Sequence, residues 1–265
     1  MSGAIMPSYI YRFSNLAIMV FFIAATSLTM GFIPKFLQML SFFQPSEEST
    51  KLGYSLFSPI ASSTGLLIGF LLNQAQSNFR EVESIVSAEA GRVNNLDRLL
   101  LRFGSKQALE IRGKLRDYIQ SVINDEWPSL SEGRGSKETH MLWRGISQSI
   151  FKLEPETTKQ LSLYSDIIKK SEEVAESRET RIDRSDKRLP SLFWVVIAIC
   201  LSTLILVNSL FLPSSNFLFG LTILPIAFGG LISLLVITDQ PFKGQTSIHP
   251  IAMEKVFASI QTRTE

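Results

Sequence analysis

Residues able to do covalent or metal chemistry are few and scattered in this 265-residue chain. One Cys and two His, namely Cys200, His140 and His249, cannot make an intrachain disulfide framework, a Cys-rich zinc site or a Cys/His catalytic cluster. The sequence shows no catalytic triad and no Gly-rich phosphate loop. An enzyme is therefore the least expected class, and no metal or cofactor is expected. What remains is polar chemistry at regular spacing. Ser55, Ser58, Ser62, Gly65, Gly69 and Asn73 recur at steps of three and four inside an apolar run, and so share one helix face. Small residues at that spacing let helices pack closely in lipid. Alternatively, the face looks into a pore, where hydroxyls and backbone dipoles tolerate a hydrated ion and apolar side chains form a gate. In that second reading Ser62, Leu66, Phe70 and Asn73, at steps of 4, 4 and 3, line the pore. Glu89 interrupts an otherwise apolar stripe, where an ionised carboxylate is costly unless paired. It is half of a structural ion pair, a water-facing slip in the stripe, or a carboxylate lining a cytoplasmic vestibule or subunit interface.

The elements that must position these residues follow from the distribution of charge. Of 26 basic and 24 acidic residues, 20 and 19 lie between Gln74 and Pro190, which leaves the flanks almost uncharged. Phe13 to Pro34 is an uncharged run of 22 residues, long enough to cross a hydrocarbon core of about 30 Å. It is longer than a signal-peptide core of about 7–15 residues and no clean cleavage site follows, so it is expected to remain as the first span. A second span is expected over 54–73. The 50 uncharged residues from Leu189 to Thr238 are too long for one crossing, and the LPSSN stretch from Leu212 to Asn216 supplies a turn. Spans three and four are then 190–212 and 217–238. Lys35 and Lys51 are the only basic residues in the 35–53 loop, and the 213–216 turn has none, whereas the other 24 lie on the opposite side. The excess of Lys and Arg puts the 1–12 and 239–265 termini and the 74–189 segment in the cytoplasm, in an inner or plasma membrane. Phe32, Phe36, Phe42 and Phe43 are expected at the outer interface.

The 74–189 segment reads as helical throughout. Ala75, Phe79, Val82, Val86, Glu89, Val93, Leu96, Leu100 and Phe103 alternate steps of four and three, so the second span is expected to continue as one long helix to Gly104. Ser105 is a plausible cap for a second helix, with Ala108, Ile111, Leu115, Tyr118 and Val122 buried and Pro128 after its end. The SEGRG stretch, 131–135, is a loop. A third helix is expected over 141–153, and a fourth from Pro155 that becomes charge-dense over 169–188. His249 and Pro250 precede a short helix over 251–261, Gly229-Gly230 and Pro225 mark a kink or close contact in the fourth span, and Cys200 is inert packing. The net charge of +2 offers no footprint for nucleic acid.

Several motifs in this order resemble the bestrophins, and more closely the bestrophin-like membrane proteins of bacteria. They are Gly69-Phe70, EAGRVNNLDRLL (89–100), DYIQSVINDEWP (117–128), Arg188-Leu189-Pro190 with Trp194, and DQPFKG (239–244). The resemblance implies an all-α membrane protein with four spans per subunit, a helical cytoplasmic domain between spans two and three, and a pentameric anion channel lined by the second span. It also implies that Asp239, Pro241, Phe242 and Gly244 form a turn that docks against the cytoplasmic helices, with Asp239 pairing a basic residue near Arg188. The plainer reading is that Pro241 and Gly244 stop the helix and Phe242 anchors it. Two departures stand out. The turn of animal bestrophins is followed by an acidic calcium cluster, but here QTSIHP follows Gly244, so calcium gating is not expected; and the position one turn above Leu66, apolar in bestrophin necks, is Ser62. The expected function is a homo-oligomeric channel passing small ions, with the bilayer and its own copies as partners. A membrane-anchored signalling or scaffold protein without conductance is the alternative.

Overall fold

A computed structural model of the chain describes residues 8–40, 45–212 and 215–263, without the side chains of Ser8 and 215–222. Expectations for 1–7, for 41–44 with Phe42 and Phe43, for 213–214 of the outer turn and for 264–265 lie outside the described residues. A 3-10 turn, Ser8–Arg12, leads into nine helices among the described residues: α1 Asn15–Met39, α2 Glu47–Phe103, α3 Lys106–Ser121, α4 Trp127–Leu130, α5 Lys137–Phe151, α6 Thr158–Ser185, α7 Ser191–Asn208, α8 Ser215–Thr238 and α9 Ile251–Thr262. Two compact units result, one from Met1–Phe79 and Arg188–Thr246, the other from Arg80–Lys187 and Ser247–Glu265. α2 is a single helix of 57 residues that contributes to both.

In the first unit α1 packs chiefly against α8 and also against α7. Its core is almost purely hydrocarbon: Ile18 and Met30 of α1, Ile68, Leu71 and Ala75 of α2, Ile197 and Leu204 of α7, and Phe228, Ile232, Leu235 and Val236 of α8. By length and composition α1, α2 and α7 can each cross a membrane, while the apolar stretch of α8 with described side chains, Ile223–Thr238, is shorter. Pro34, Pro59 and Pro225 lie inside helices, a placement tolerated where neighbouring groups satisfy the freed backbone. Side chains also close the end of α7: Gln38 donates to Ser209 O at 2.9 Å and Ser49 to Leu210 O at 3.0 Å, while Asn208 donates at 2.9 Å to Met30 O inside α1, four residues before Pro34. Carbonyls at a helix end, or four residues before a proline, have no intrahelical donor, so these side chains supply what water would supply outside a membrane. Gly229 is a close contact, as its position beside Pro225 allows. A Cβ there would stand 2.6 Å from Ile23 Cα and 2.5 Å from Thr26 Oγ1, whereas one on Gly230 would meet nothing within 4 Å.

In the second unit the expected stripe of α2 is buried from Val82 through Phe103, and α3 buries Ala108, Ile111, Leu115 and Tyr118 from its Ser105 cap. Boundaries differ where side chains cap the backbone. α5 starts at Lys137 because Ser136 Oγ accepts the Thr139 N–H, and α6 starts at Thr158 because Thr157 Oγ1 accepts the Gln160 N–H. The helical run that begins with α3 does not stop before Pro128. It widens into a π turn over Val122–Glu126 and resumes as α4, with Pro128 in the first turn, where no N–H is required.

Candidate functional site

Three groups of residues are candidates, the first being the exposed face of α2. Thr64, Ile68, Leu71 and Ala75 are buried in the first unit at steps of 4, 3 and 4, and this fixes the helix about its axis. Ser62, Leu66, Phe70 and Asn73 consequently lie exposed, Leu66 by 76% and Phe70 by 63%. The small residues do not serve packing inside the chain: Ser55, Ser58, Ser62, Gly69 and Asn73 are exposed, and a Cβ on Gly69 would meet nothing within 4 Å. Only Gly65 approaches a neighbour, the Phe228 ring at 3.9 Å from its added Cβ.

The second group is the turn after α8. Asp239 is buried, and its Oδ1 accepts the Leu189 N–H at 2.7 Å, which ties this turn to the entry of α7. Burial raises its carboxyl from the ordinary value to about 6, opposed by the Leu189 hydrogen bond and the nearby Arg188 charge. Pro241 and Phe242 are buried, and Gly244 adopts φ 79°, a left-handed conformation suited to glycine. The turn is met by the 3-10 segment and the start of α1. Lys243 Nζ stands 5.9 Å from the Tyr11 ring centroid, Tyr11 Oη donates to Val236 O at 3.3 Å, and Asn15 donates to Gln245 Oε1 and Thr246 Oγ1 at 3.1 and 2.6 Å. The Asp239 bond therefore goes to the backbone beside Arg188.

The third group is a buried ionic network in the second unit. Glu89 is fully buried, and receives Arg181 Nε on Oε2 at 2.6 Å and Nη2 on Oε1 at 3.2 Å. An ion pair, one of the readings of Glu89, is thus present inside the second unit. Arg181 also donates to Glu126 Oε1 at 2.7 Å, and Arg178 donates to Glu126 with Nε at 3.1 Å and also through Nη2. Glu126 Oε2 accepts the Ser136 N–H at 3.1 Å, and the Trp127 ring lies 5.3 Å from Arg181 Cζ. Two carboxylates face two guanidinium groups, so the network is neutral. Burial alone would lower the Arg181 pKa, but Glu89 and Glu126 outweigh it and raise it above its usual value. Burial, with Glu89 second, pushes the Tyr118 phenol up and keeps it neutral. A second buried pair joins Asp97 to Arg112 at 2.7 Å and to Arg263 at 2.9 Å, tying α2 to α3 and to the residue after α9.

Sequence reasoning missed Arg178, Arg181 and Glu126. The signal was present: Ile167, Ser171, Val174, Arg178 and Arg181 form the buried stripe of α6 at steps of 4, 3, 4 and 3. A stretch read as charge-dense conceals a periodic face when two of its members are arginines. The bestrophin-like motifs now acquire contacts. In EAGRVNNLDRLL, Glu89 and Asp97 are ion-paired and Asn94 accepts from Arg263; in NDEWP, Glu126 enters the network and Trp127 Nε1 donates to Ile248 O at 2.9 Å.

Fold and composition together define a helical membrane protein. The Bestrophin-like domain family matches residues 20–253, and the chain belongs to that family. Among solved structures, a bacterial bestrophin homolog from Klebsiella pneumoniae, solved by Zn-SAD phasing, is 12% identical with a TM-score of 0.66, over 92% of this chain and 98% of that one. A point mutant of the Klebsiella homolog has a TM-score of 0.65 at 12% identity over 92% of this chain and 99% of that one. A structure described as a membrane protein reaches 0.67 at 14% identity, over 93% and 98%. At these identities the likeness is one of fold. No curated protein matches the chain.

Proposed function

We propose that this chain is one subunit of a homo-oligomeric ion channel, a pentamer by analogy with the family, with α2 lining the pore. α1, the apolar part of α2, α7 and α8 are its four spans, and the second unit forms a cytoplasmic vestibule. Small ions pass, with anions favoured by the family. A channel, rather than an enzyme, is what the family favours. The observation that carries this reading is the unpacked face of α2: Leu66 and Phe70, 76% and 63% exposed, lie opposite a fully packed stripe. Copies arranged about an axis would turn this face inward. Leu66 and Phe70 then make stacked apolar rings that exclude water from a narrow pore and hold it shut until the helices part, while Ser62 and Asn73 offer polar groups on either side. Asp239, Pro241, Phe242 and Gly244 hold the end of α8 against the entry of α7 and couple the vestibule to the spans.

Recordings from Leu66→Ala and Phe70→Ala in planar bilayers test this directly. Both side chains are exposed in the subunit, so truncation creates no internal cavity and the oligomer is expected to fold. Conductance or open probability is expected to rise. Unaltered current from a well-folded oligomer would exclude this face from the pore, and the absence of current from intact wild-type oligomer would remove the channel itself.

A further inference from the structure

The part of α2 that belongs to the second unit is neutral as sequence: Arg80, Arg92, Arg98 and Arg102 match Glu81, Glu83, Glu89 and Asp97. Folding separates the two signs. Glu89 turns inward to Arg181, Asp97 to Arg112 and Arg263, and Glu81 meets Arg184. Basic side chains of α6, of α3 and of the residue after α9 thus take up three of the four carboxylates. The arginines of α2 turn outward instead. Arg92 reaches Glu173 at 3.8 Å. Among the described residues, Arg80, Arg98 and Arg102 are exposed and pair with no carboxylate.

The exposed positions make one face. Ser84, Ser87, Gly91, Asn95, Arg98 and Arg102 follow at steps of 3, 4, 4, 3 and 4, opposite the buried stripe of Val82, Val86, Glu89, Val93, Leu96 and Leu100. At its start the face is mixed, since Arg80 has the exposed Glu83 three residues on. From Ser84 to Arg102 it carries positive charge only. Arg98 and Arg102 stand four residues apart, where like charges on a helix repel each other, so the pair costs the isolated subunit stability. The rest of the face is hydroxyl, amide and glycine. With no aromatic or aliphatic anchor at these six positions, an anion meets charge and little else to hold it. That suits passage better than capture, because conduction needs sites that an ion can leave.

We infer that Arg98 and Arg102 are the charge-selecting residues of the pore, forming adjacent cationic rings in the oligomer that concentrate small inorganic anions and deter cations. This rests on the reading above, in which copies of α2 turn their unpacked face to an axis. Gate and charge selection are then separate. Leu66 and Phe70 exclude water without regard to sign, whereas the two arginines, about 6 Å apart along the helix at about 1.5 Å per residue, set the sign. A passage lined by one sign of charge raises the local concentration of its counter-ion by about tenfold or more, so selection requires no tight anion binding.

The test is the reversal potential of the oligomer in planar bilayers under a gradient of KCl. Chloride should pass in preference to potassium. Arg98→Glu/Arg102→Glu should lower the chloride-to-potassium permeability ratio about tenfold or more, and Arg98→Gln/Arg102→Gln about threefold. Arg98→Lys/Arg102→Lys should keep the ratio, since charge and not guanidinium geometry is used. The control Lys137→Glu/Arg144→Glu makes the same change of charge at two exposed positions of α5 and should leave the ratio as in wild type. Exposed charges are screened by salt, so the wild-type preference should weaken between about 0.1 M and about 1 M, where the Debye length falls from about 10 to about 3 Å. The Gln variant, which adds no charge, decides the matter if the Glu variant does not assemble. A ratio unmoved in a variant of wild-type size, a wild-type preference for potassium, or an equal fall in the control overturns the assignment. No current from intact wild-type oligomer overturns the channel and this inference together, whereas selective current indifferent to the two arginines overturns this inference alone.

Discussion

The two halves of α2 carry the same helical period and bury opposite kinds of interior. Up to Phe79 its buried stripe is Thr64, Ile68, Leu71 and Ala75, with no ionised group. Beyond Arg80 the stripe admits two fully buried carboxylates, Glu89 and Asp97, among Val82, Val86, Val93, Leu96 and Leu100. The difference lies in the partners. In the first unit helix contacts are made by hydrocarbon and by hydroxyl or amide groups reaching carbonyls, such as Thr26 Oγ1 to Pro225 O at 2.8 Å. In the second, α3 and α6 bring Arg112 and Arg181 into the interior, and each buried carboxylate finds a guanidinium. One continuous helix thus shows that spacing sets which residues are interior, while the neighbours set whether a charge can survive there.

The largest effect expected from breaking this contrast is at Arg181. Arg181→Met strips Glu89 of its partner and Glu126 of one of two, and removing one side of a buried pair costs about 3–5 kcal/mol. Thermal unfolding of the purified protein should show the loss. The double variant Glu89→Leu/Arg181→Met leaves Glu126 with Arg178 and should recover most of the stability; a double variant no better than the single one would show that the network contributes through packing and not through charge.

In the first unit the matching vulnerability is steric. Gly229→Ala drives a Cβ into the Ile23 backbone, and overpacking with no yielding side chain costs about 3 kcal/mol or more. Gly230→Ala, with open space around it, should leave the melting temperature unchanged. Equal effects from the two would mean that α1 and α8 do not meet at Gly229.

Asp239 is the one carboxylate of the first unit outside the Glu47-Glu48 pair, and its expected effect is smaller and depends on pH. Its folded value, about 6, lies above the ordinary 3.8. The folded state therefore holds this proton more tightly than the unfolded chain, and stability falls as pH rises from about 4 to about 6, then stays flat. Asp239→Asn keeps an acceptor for the Leu189 N–H. It should match wild type near pH 4 and exceed it above pH 6 by up to about 3 kcal/mol, at about 1.36 kcal/mol per pH unit. A variant less stable than wild type at pH 7 would mean that the charged carboxylate is wanted at this turn.

The smallest effect belongs to a pair at the surface of the second unit. Glu81 meets Arg184 at 2.6 Å with side chains 45% and 28% exposed, and exposed pairs contribute about 0–1 kcal/mol. Glu81→Gln should shift stability by no more than about 0.5 kcal/mol. A loss comparable with that of Arg181→Met would end the distinction between buried and exposed pairs.

Much of this was legible in the sequence, because hydrophobic period and charge-free length are local properties. The helical class, the continuous α2 through Phe103, the Ser105 cap and the interior face of α3 each depend on residues three or four apart. The resemblance to bestrophins was legible for the same reason, since short motifs in a fixed order survive in one dimension. Which face of α2 stays unpacked could not be read, because small polar residues at helical spacing serve a packed interface and a solvated one equally. Only the burial of Thr64, Ile68, Leu71 and Ala75 left Ser62, Leu66, Phe70 and Asn73 outside. The partners of Glu89 and Asp239 were undetermined as well. Arg181 lies 92 residues from Glu89, and the Leu189 N–H lies 50 residues from Asp239. No spacing rule spans such separations; the folded helices choose those pairs, because a buried carboxylate is tolerated only where packing delivers a donor.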